Sequence, residues 1–528
     1  MSRHASISIA RSSNCHNRLG CVNNVTGRNH HLPNAPMAES HRTSLDFSRL
    51  PRPLRACAFA LVLWCPLHNA IAATNELPDL GDGAAALVSP AQERELGEKL
   101  IRQLRKEAPT NDDPALKYFC AQLLAELAAA SELTDHNLHP VLIESPVLNA
   151  FAAPGGVVGI NLGLFLHADN VHQLSAVLAH ELAHLSQRHY ARTVEYQKQS
   201  AVPYIAALLA SVALMAVSGG SAGIAALSAT QAAAQDSALR YSRAREQEAD
   251  HIGIETLVRA GFDPHAMASM FEQMSYAARF DRKLPEFLLT HPVTENRIAD
   301  ARNRAAAWPA RPYPDRVEFE FVQARVRVMY AKSADQAVAM FAQERNNGRL
   351  IPSAADYGYV YALSRANRHD EALRALRIFT ARAPDNLFVH LLEAEVKIQA
   401  GRPREALPLL ERQLRLNPGN APLSMYYAQA LTGAHRYAEA EQVLLGQSHA
   451  HPEDTDVWEQ LAETAGLAHD IVNVHSARAE YFQLHGDFDK ALEHLKYASR
   501  LVDQSNFQLS SKLAQRSIDM RAMRKRLG

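Results

Sequence analysis

Disulfides have no place in the body of this chain: of five cysteines in 528 residues, Cys15, Cys21, Cys57 and Cys65 precede residue 70 and only Cys120 follows. Once the first seventy-odd residues are removed no intrachain disulfide can form, so packing must supply the stability. Neither sign of charge is in excess. A formal net charge of −1 gives no basic field for nucleic acid, which is excluded as a partner. Long hydrophobic runs are missing too. Ala56 to Leu67 is too short to span a bilayer comfortably, and Val202 to Val217 falls at the lower edge of the roughly 17–25 residues a spanning helix needs. What remains is a chain able to form two or three globular domains, whose function must be sought in particular sites.

The beginning of the chain carries a secretory signal. Arg52 and Arg55 precede the apolar run, and Ala70-Ile71-Ala72 is a small-x-small cleavage pattern before Ala73. Residues 1–73 are therefore expected to be a leader and signal peptide, with Met37 as an alternative start that leaves a leader of ordinary length. A membrane anchor is the weaker reading, and a bacterial periplasm fits better than the cytosol.

The most informative residues are His180-Glu181-Leu182-Ala183-His184. Positions four apart share a helix face, so two imidazoles can grip one ion while the glutamate faces the remaining coordination position. Leu174, Val177, Leu178, Leu182 and Leu185 form an apolar stripe at helical spacing, with no proline or glycine from Val171 to His189. A third histidine ten positions after the first is lacking, since Tyr190 stands there. His189, nine positions on, is expected on the opposite side of the helix, facing solvent, and is not counted as a ligand.

The third ligand is sought in Arg243-Ala244-Arg245-Glu246-Gln247-Glu248-Ala249-Asp250-His251, a second helix with an apolar face. Glu246 and Asp250 lie four apart on one side, so Glu246 can bind metal while its neighbour orients a ligand histidine. Glu248 is the rival, about 200° around the helix from Glu246 and without an acidic partner four residues on. The bland alternative is a solvated helix laced by arginine–glutamate pairs.

These motifs, with His291-Pro292 and Arg297-Ile298, resemble the peptidase family of the CAAX prenyl proteases and the heat-shock protease HtpX. With a secretion signal and a C-terminal repeat domain, the chain resembles a narrower group within it, the beta-barrel assembly-enhancing proteases. The resemblance implies one Zn2+ per chain held by His180, His184 and Glu246, with Asp250 as orienting partner and proton donor. It also implies that His291 occupies the open zinc position as a latch; the other reading is an ordinary histidine ahead of a helix. Zinc in such a site lowers the pKa of water from about 15.7 towards about 7, and Glu181 is the expected general base. His291 and Arg297 are the candidate donors to a tetrahedral oxyanion.

Upstream, Asn149 to Ile160 reads as a strand, a glycine turn and a second strand. Asn149, Ala150 and Phe151 are candidates for pairing with substrate backbone, against a plain core hairpin as the alternative. Amphipathic helices through Leu100 and Leu104, and from Pro114 to Leu133, are expected to pack around the zinc helix. The peptidase domain is placed at 86–305. Within it, an apolar helical hairpin at about 202–234 covers the active site, dips into a membrane face as a peripheral contact, or is buried in the core.

Beyond a proline-rich linker at 306–316 the pattern changes. Pro384, Pro418 and Pro452 recur every 34 residues, as do Ala372, Ala406 and Ala440, the period of tetratricopeptide repeats. Asp335 to Val338 is a degenerate earlier copy, and Asp489 to Leu492 continues the pattern after 17 extra residues. Four or five helix pairs are expected over 317–528, closed by a basic helix. The predicted fold is mainly α: a zincin-like metallopeptidase domain with a small β element, followed by an α-solenoid. The expected function is a periplasmic zinc endopeptidase acting on misassembled outer-membrane β-barrel proteins, with the repeat groove engaging them or their assembly machinery. The alternative is a non-proteolytic chaperone or scaffold with a structural or permanently latched zinc.

Overall fold

The computed structural model describes residues 88–196, 236–280, 287–309, 311–383, 385–503 and 505–528. The expected leader and signal, the apolar hairpin and Pro384 lie outside the described residues.

Helix α1 (Pro90–Glu107) starts on a reciprocal cap: the Gln92 N–H donates to the Ser89 hydroxyl, and the Ser89 N–H donates to the Gln92 side chain. Helix α2 (Pro114–Ala130) is capped by Asp113, whose carboxylate accepts from the N–H groups of Ala115 and Leu116. A three-stranded sheet follows in the order β1 (His139–Ile143), β3 (Val157–Asn161), β2 (Ala150–Ala153), with β1 parallel and β2 antiparallel to β3. The β2–β3 turn needs Gly155 and Gly156, at φ +78° and +77°. It nests against α1, where a Cβ on Gly97 would lie 2.5 Å from the Pro154 carbonyl oxygen.

The short helix α3 (Gly163–His167) leads to α4 (Val171–Ser186), which carries both histidines of the metal motif and is buried along its whole length from Val171 to Ala183. Around α4 stand α2, β2, α6 (Asp236–Ala260) and α7 (Ala266–Phe280). Helices α5 (His189–Tyr196), α8 (Phe287–Thr290) and α9 (Glu295–Ala305) complete this part. Only α2 meets the expectation of packing on the zinc helix; α1 buries Leu100, Ile101 and Leu104 in a small cluster with Ala153 and Val157 of the hairpin and Ala191 of α5. Among the described residues, no helix is long and apolar enough to cross a membrane.

The solenoid is α10 (Val317–Met329), α11 (Ala334–Asn347), α12 (Pro352–Arg365), α13 (His369–Thr380), α14 (Leu387–Gln399), α15 (Pro403–Leu416), α16 (Ala421–Gly433), α17 (Tyr437–Ala450), α18 (Thr455–Leu467), α19 (Ile471–Leu484), α20 (Phe488–Leu501) and α21 (Phe507–Leu527). These twelve helices make five pairs, α10–α11, α12–α13, α14–α15, α16–α17 and α19–α20, with α18 as one extra helix and the basic α21 closing the stack, against four or five pairs and a closing helix expected. After the first pair, one residue at positive φ closes the turn between helices: Asn367, Gly401, His435 and His469 recur every 34 residues, and Gly486, between α19 and α20, follows 17 later. The irregular stretch is thus half a repeat, one helix and its turn, and stacking continues through it.

The solenoid shares a core with the peptidase part. Phe319 of α10 stacks on Phe165 with centroids 6.3 Å apart and meets Phe119 at 6.4 Å. Arg325, fully buried, donates to Asp113, lies 2.9 Å from the Glu395 carboxylate, and donates to the Tyr357 hydroxyl at 3.2 Å. The far end of the solenoid returns to α1 and α2: Lys117 of α2 pairs with Asp454 at 2.6 Å, and Arg526 with Glu98 of α1 at 2.9 Å. Arg325→Met would leave Asp113 and Glu395 buried without their counter-charge, and should destabilise the protein by about 3–5 kcal/mol. Urea unfolding followed by circular dichroism measures this; an unchanged midpoint would show that water compensates the two carboxylates.

Candidate active site

His180 and His184 leave the same face of α4 one turn apart, with their Nε2 atoms 3.1 Å from each other. Helix α6 crosses α4 at Gly253, where an added Cβ would stand 3.2 Å from the His180 backbone nitrogen, 3.3 Å from its Cα and 3.0 Å from the Met267 methyl. That close crossing carries Glu246 and Asp250 to the rings. Glu246 Oε2 is 3.5 Å from His180 Nε2, and Oε1 is 3.5 Å from His184 Nε2. His291, just beyond α8, brings Nδ1 to 3.3 Å from His180 Nε2 and 3.0 Å from Glu246 Oε2.

Ligand atoms of His180, His184, Glu246 and His291 all lie within 4.8 Å of one another, the one such group among the described residues. Four ligand atoms about 2.0–2.1 Å from a tetrahedral cation would be about 3.3–3.4 Å apart; with the nearer Glu246 oxygen taken for each ring, the five separations just given run from 3.0 to 3.5 Å, and the whole group lies within 4.8 Å. The donor set therefore fits a small cation of the zinc kind. Charge agrees with size. Although burial opposes it, Asp250 and Glu246 raise His180 to about 9, so the carboxylates draw positive charge to this point.

Behind the rings, each partner has its own support. Asp250 Oδ1 lies 2.9 Å from His180 Nδ1, and Arg297 grips Asp250 with Nε and Nη2, each at 2.7 Å. Arg297 Nη1 donates to the Pro292 carbonyl at 2.9 Å and lies 3.1 Å from Glu246 Oε2. Arg297, expected as an oxyanion donor, instead directs its guanidinium at the α6 carboxylates and the Pro292 backbone. Asp250 is likewise buried behind His180 rather than lining the cleft.

His189 differs from its expected place. Helix α4 stops at Ser186 and the chain reverses at Arg188, φ +47°, which Val88 and Glu93 hold by accepting from its guanidinium at 2.7 and 3.3 Å. His189 is thereby carried back under His184 and buried, with Nδ1 2.9 Å from His184 Nδ1. Its Nε2 lies 3.0 Å from Glu248, the rival ligand, which stands apart from the metal group.

Glu181 Oε2 accepts the Ala152 N–H at 2.9 Å, while Oε1 is buried without a hydrogen bond and 3.5 Å from His291 Nε2. Burial pushes this carboxyl above the usual carboxylate range. Asn149, Phe151 and Ala152 line a cleft of about 640 Å3 together with Glu181, His184, Glu246 and His291. Ala150 is fully buried and outside the lining. The Phe151 ring lies over Gly159, where an added Cβ would meet it at 2.2 Å.

Residues 119–305 match peptidase family M48, and residues 397–463 match a tetratricopeptide repeat. The beta-barrel assembly-enhancing protease of Escherichia coli K12 is 34% identical over 466 residues, 88% of this chain and 95% of that protein. The chain belongs to this protease family. Its counterpart in Yersinia pestis is 33% identical, covering 81% of this chain and 88% of that one. The mitochondrial metalloendopeptidase OMA1 of Schizosaccharomyces pombe is 31% identical over 34% of this chain and 50% of its own length. Membership makes the chain a metalloendopeptidase with proteins as substrates.

Gly253→Val is expected to force α6 away from α4 and part Glu246 from the rings, weakening metal binding by about tenfold or more, with Gly253→Ala intermediate. Chelator competition measures the affinity, and native affinity in a folded Val variant would show that the crossing does not set the ligand geometry.

Proposed function

We propose that the chain is a zinc endopeptidase of the bacterial periplasm that hydrolyses outer-membrane proteins whose assembly has failed. The observation that carries the chemistry is the convergence of His180, His184 and Glu246 beside a buried, unpartnered Glu181 oxygen. In this reading those three residues hold the ion. Zinc, when bound, would acidify a water and polarise the scissile carbonyl.

The chain's own groups do the rest. The Ala152 N–H fixes one oxygen of Glu181, which leaves Oε1 to take a proton from the attacking water and hand it to the departing amine. Asp250 acts through His180, holding the ring from behind, and Arg297 holds Asp250. Strand β2 is a sheet edge beside the cleft, so substrate adds to it as a further strand, read by shape more than by sequence. His291 takes the fourth corner and faces Glu181 with its other nitrogen, an arrangement that supports a latch displaced by substrate.

The peptidase domain spans 86–305, the linker 306–316 and the repeat domain 317–528. Repeats that run from α10 back to α1 form a scaffold for stalled barrels or their assembly machinery, consistent with the names of the relatives. The filled fourth corner also favours a second reading, a chaperone whose latch never opens.

Casein digestion separates the two. Wild-type cleavage that is lost with chelator, and lost in Glu181→Gln while bound metal is retained, is the expected result. His291→Ala should raise basal cleavage several-fold if the ring blocks the site; unchanged cleavage would remove the latch. No cleavage by any form, His291→Ala included, would favour the chaperone.

A further inference from the structure

The geometry points to His189 and Glu248 as positioning residues for the ligand His184; we propose that they form a hydrogen-bonded chain, His184–His189–Glu248–Arg192, that fixes the tautomer and orientation of that ring. The inference rests on the reading of His184 as a metal ligand and adds residues that reading does not use.

Proton positions follow one from another. His184 turns Nε2 towards His180 and Glu246, so a lone pair for the metal at Nε2 leaves the proton on Nδ1. His189 Nδ1, 2.9 Å away, must then accept. A neutral imidazole that accepts at one nitrogen donates at the other, and His189 Nε2 points at Glu248 Oε2, 3.0 Å away. Arg192 closes the chain by donating through Nη1 to both Glu248 oxygens, at 3.2 and 3.1 Å. Each proton has one place, and each placement selects the ligating tautomer of His184.

The His189 ring is itself fixed. It is buried, and its backbone carbonyl accepts from the Thr193 hydroxyl at 2.6 Å and from Arg245 Nη1 at 3.1 Å, which ties α5 to α6. The two ligand histidines are thus backed alike but over different lengths. His180 meets a carboxylate directly, and that carboxylate ends on Arg297; His184 meets one through a second imidazole, and that carboxylate ends on Arg192. The extra ring keeps the negative charge of Glu248 one residue further from the metal while still specifying the tautomer. Support of this kind behind a ligand histidine is typically worth about 10–100-fold in metal affinity.

The test uses the full chain with His189→Phe, which keeps a ring but offers no acceptor, and Glu248→Ala. Zinc affinity by chelator competition should fall about 10–100-fold in His189→Phe and less in Glu248→Ala, and the d–d band of the cobalt-substituted protein should shift in both. His189→Gln, which restores an acceptor oxygen, should recover part of the affinity. On casein kcat should fall with KM little changed. Nitrogen-15 spectra of the imidazoles supply a readout independent of activity: wild type should show a protonated Nδ1 on His184 and a protonated Nε2 on His189. Native affinity and an unshifted band in folded His189→Phe would overturn the chain of bonds, as would the opposite tautomer of His189 in wild type. Wild-type protein that takes up no metal would overturn the ligand reading itself, a different failure from the first.

Discussion

Everything at the site depends on how closely α6 can lie on α4. Gly253 sets that distance, because the helices meet where a side chain would strike the His180 backbone. The contact brings Glu246 and Asp250 into a volume that already holds Glu181, so three buried carboxylates face one buried arginine, Arg297. Such a cluster is costly unless more positive charge enters it. Positive charge is drawn to one ring in particular: Asp250 and Glu246 hold His180 up to about 9 despite its burial, whereas burial drives His184 well below the usual imidazole range. Metal and proton therefore compete for one place, the usual coupling between a ligand set and its protonation.

The repeats reach this site through a short physical path. Arg325 on α10 grips Asp113, Asp113 caps α2, and α2 packs on α4 and α6. A buried charge that satisfies a helix cap on one side and Glu395 on the other makes the first repeats part of the peptidase core rather than an appended module. The ion pairs at Lys117 and Arg526 close the same arrangement from the far end of the solenoid.

What could be read from the sequence was what repeats or stays local. His180 and His184 share a face because of helical spacing, Glu246 and Asp250 for the same reason, and the 34-residue period survives in the positive-φ residues from Asn367 to His469. What could not be read needed a partner distant in sequence. Arg188 carries no turn signal, and its conformation is held by Val88 and Glu93, so the break that returns His189 to His184 was invisible. Arg297 could be singled out, but not that its guanidinium is occupied by Asp250, Glu246 and a carbonyl. The half repeat showed as an irregularity of 17 residues without showing that it is a whole helix.

The same arginine constrains how a latch at His291 would open. A swing of the whole loop would break the bond from Arg297 to the Pro292 carbonyl, and with it part of the support behind Asp250 and His180. The His291 N–H is also bonded to the Phe287 carbonyl at 2.8 Å, and its ring stacks on Phe287. The backbone on both sides of the histidine is therefore tied to elements the metal site needs. Side-chain torsion is the motion left. A latch built this way opens by turning one imidazole off Phe287 and away from His180 and Glu246, and the same turn carries its Nε2 from its place 3.5 Å from Glu181 Oε1. Vacating the corner and uncovering the base become one event.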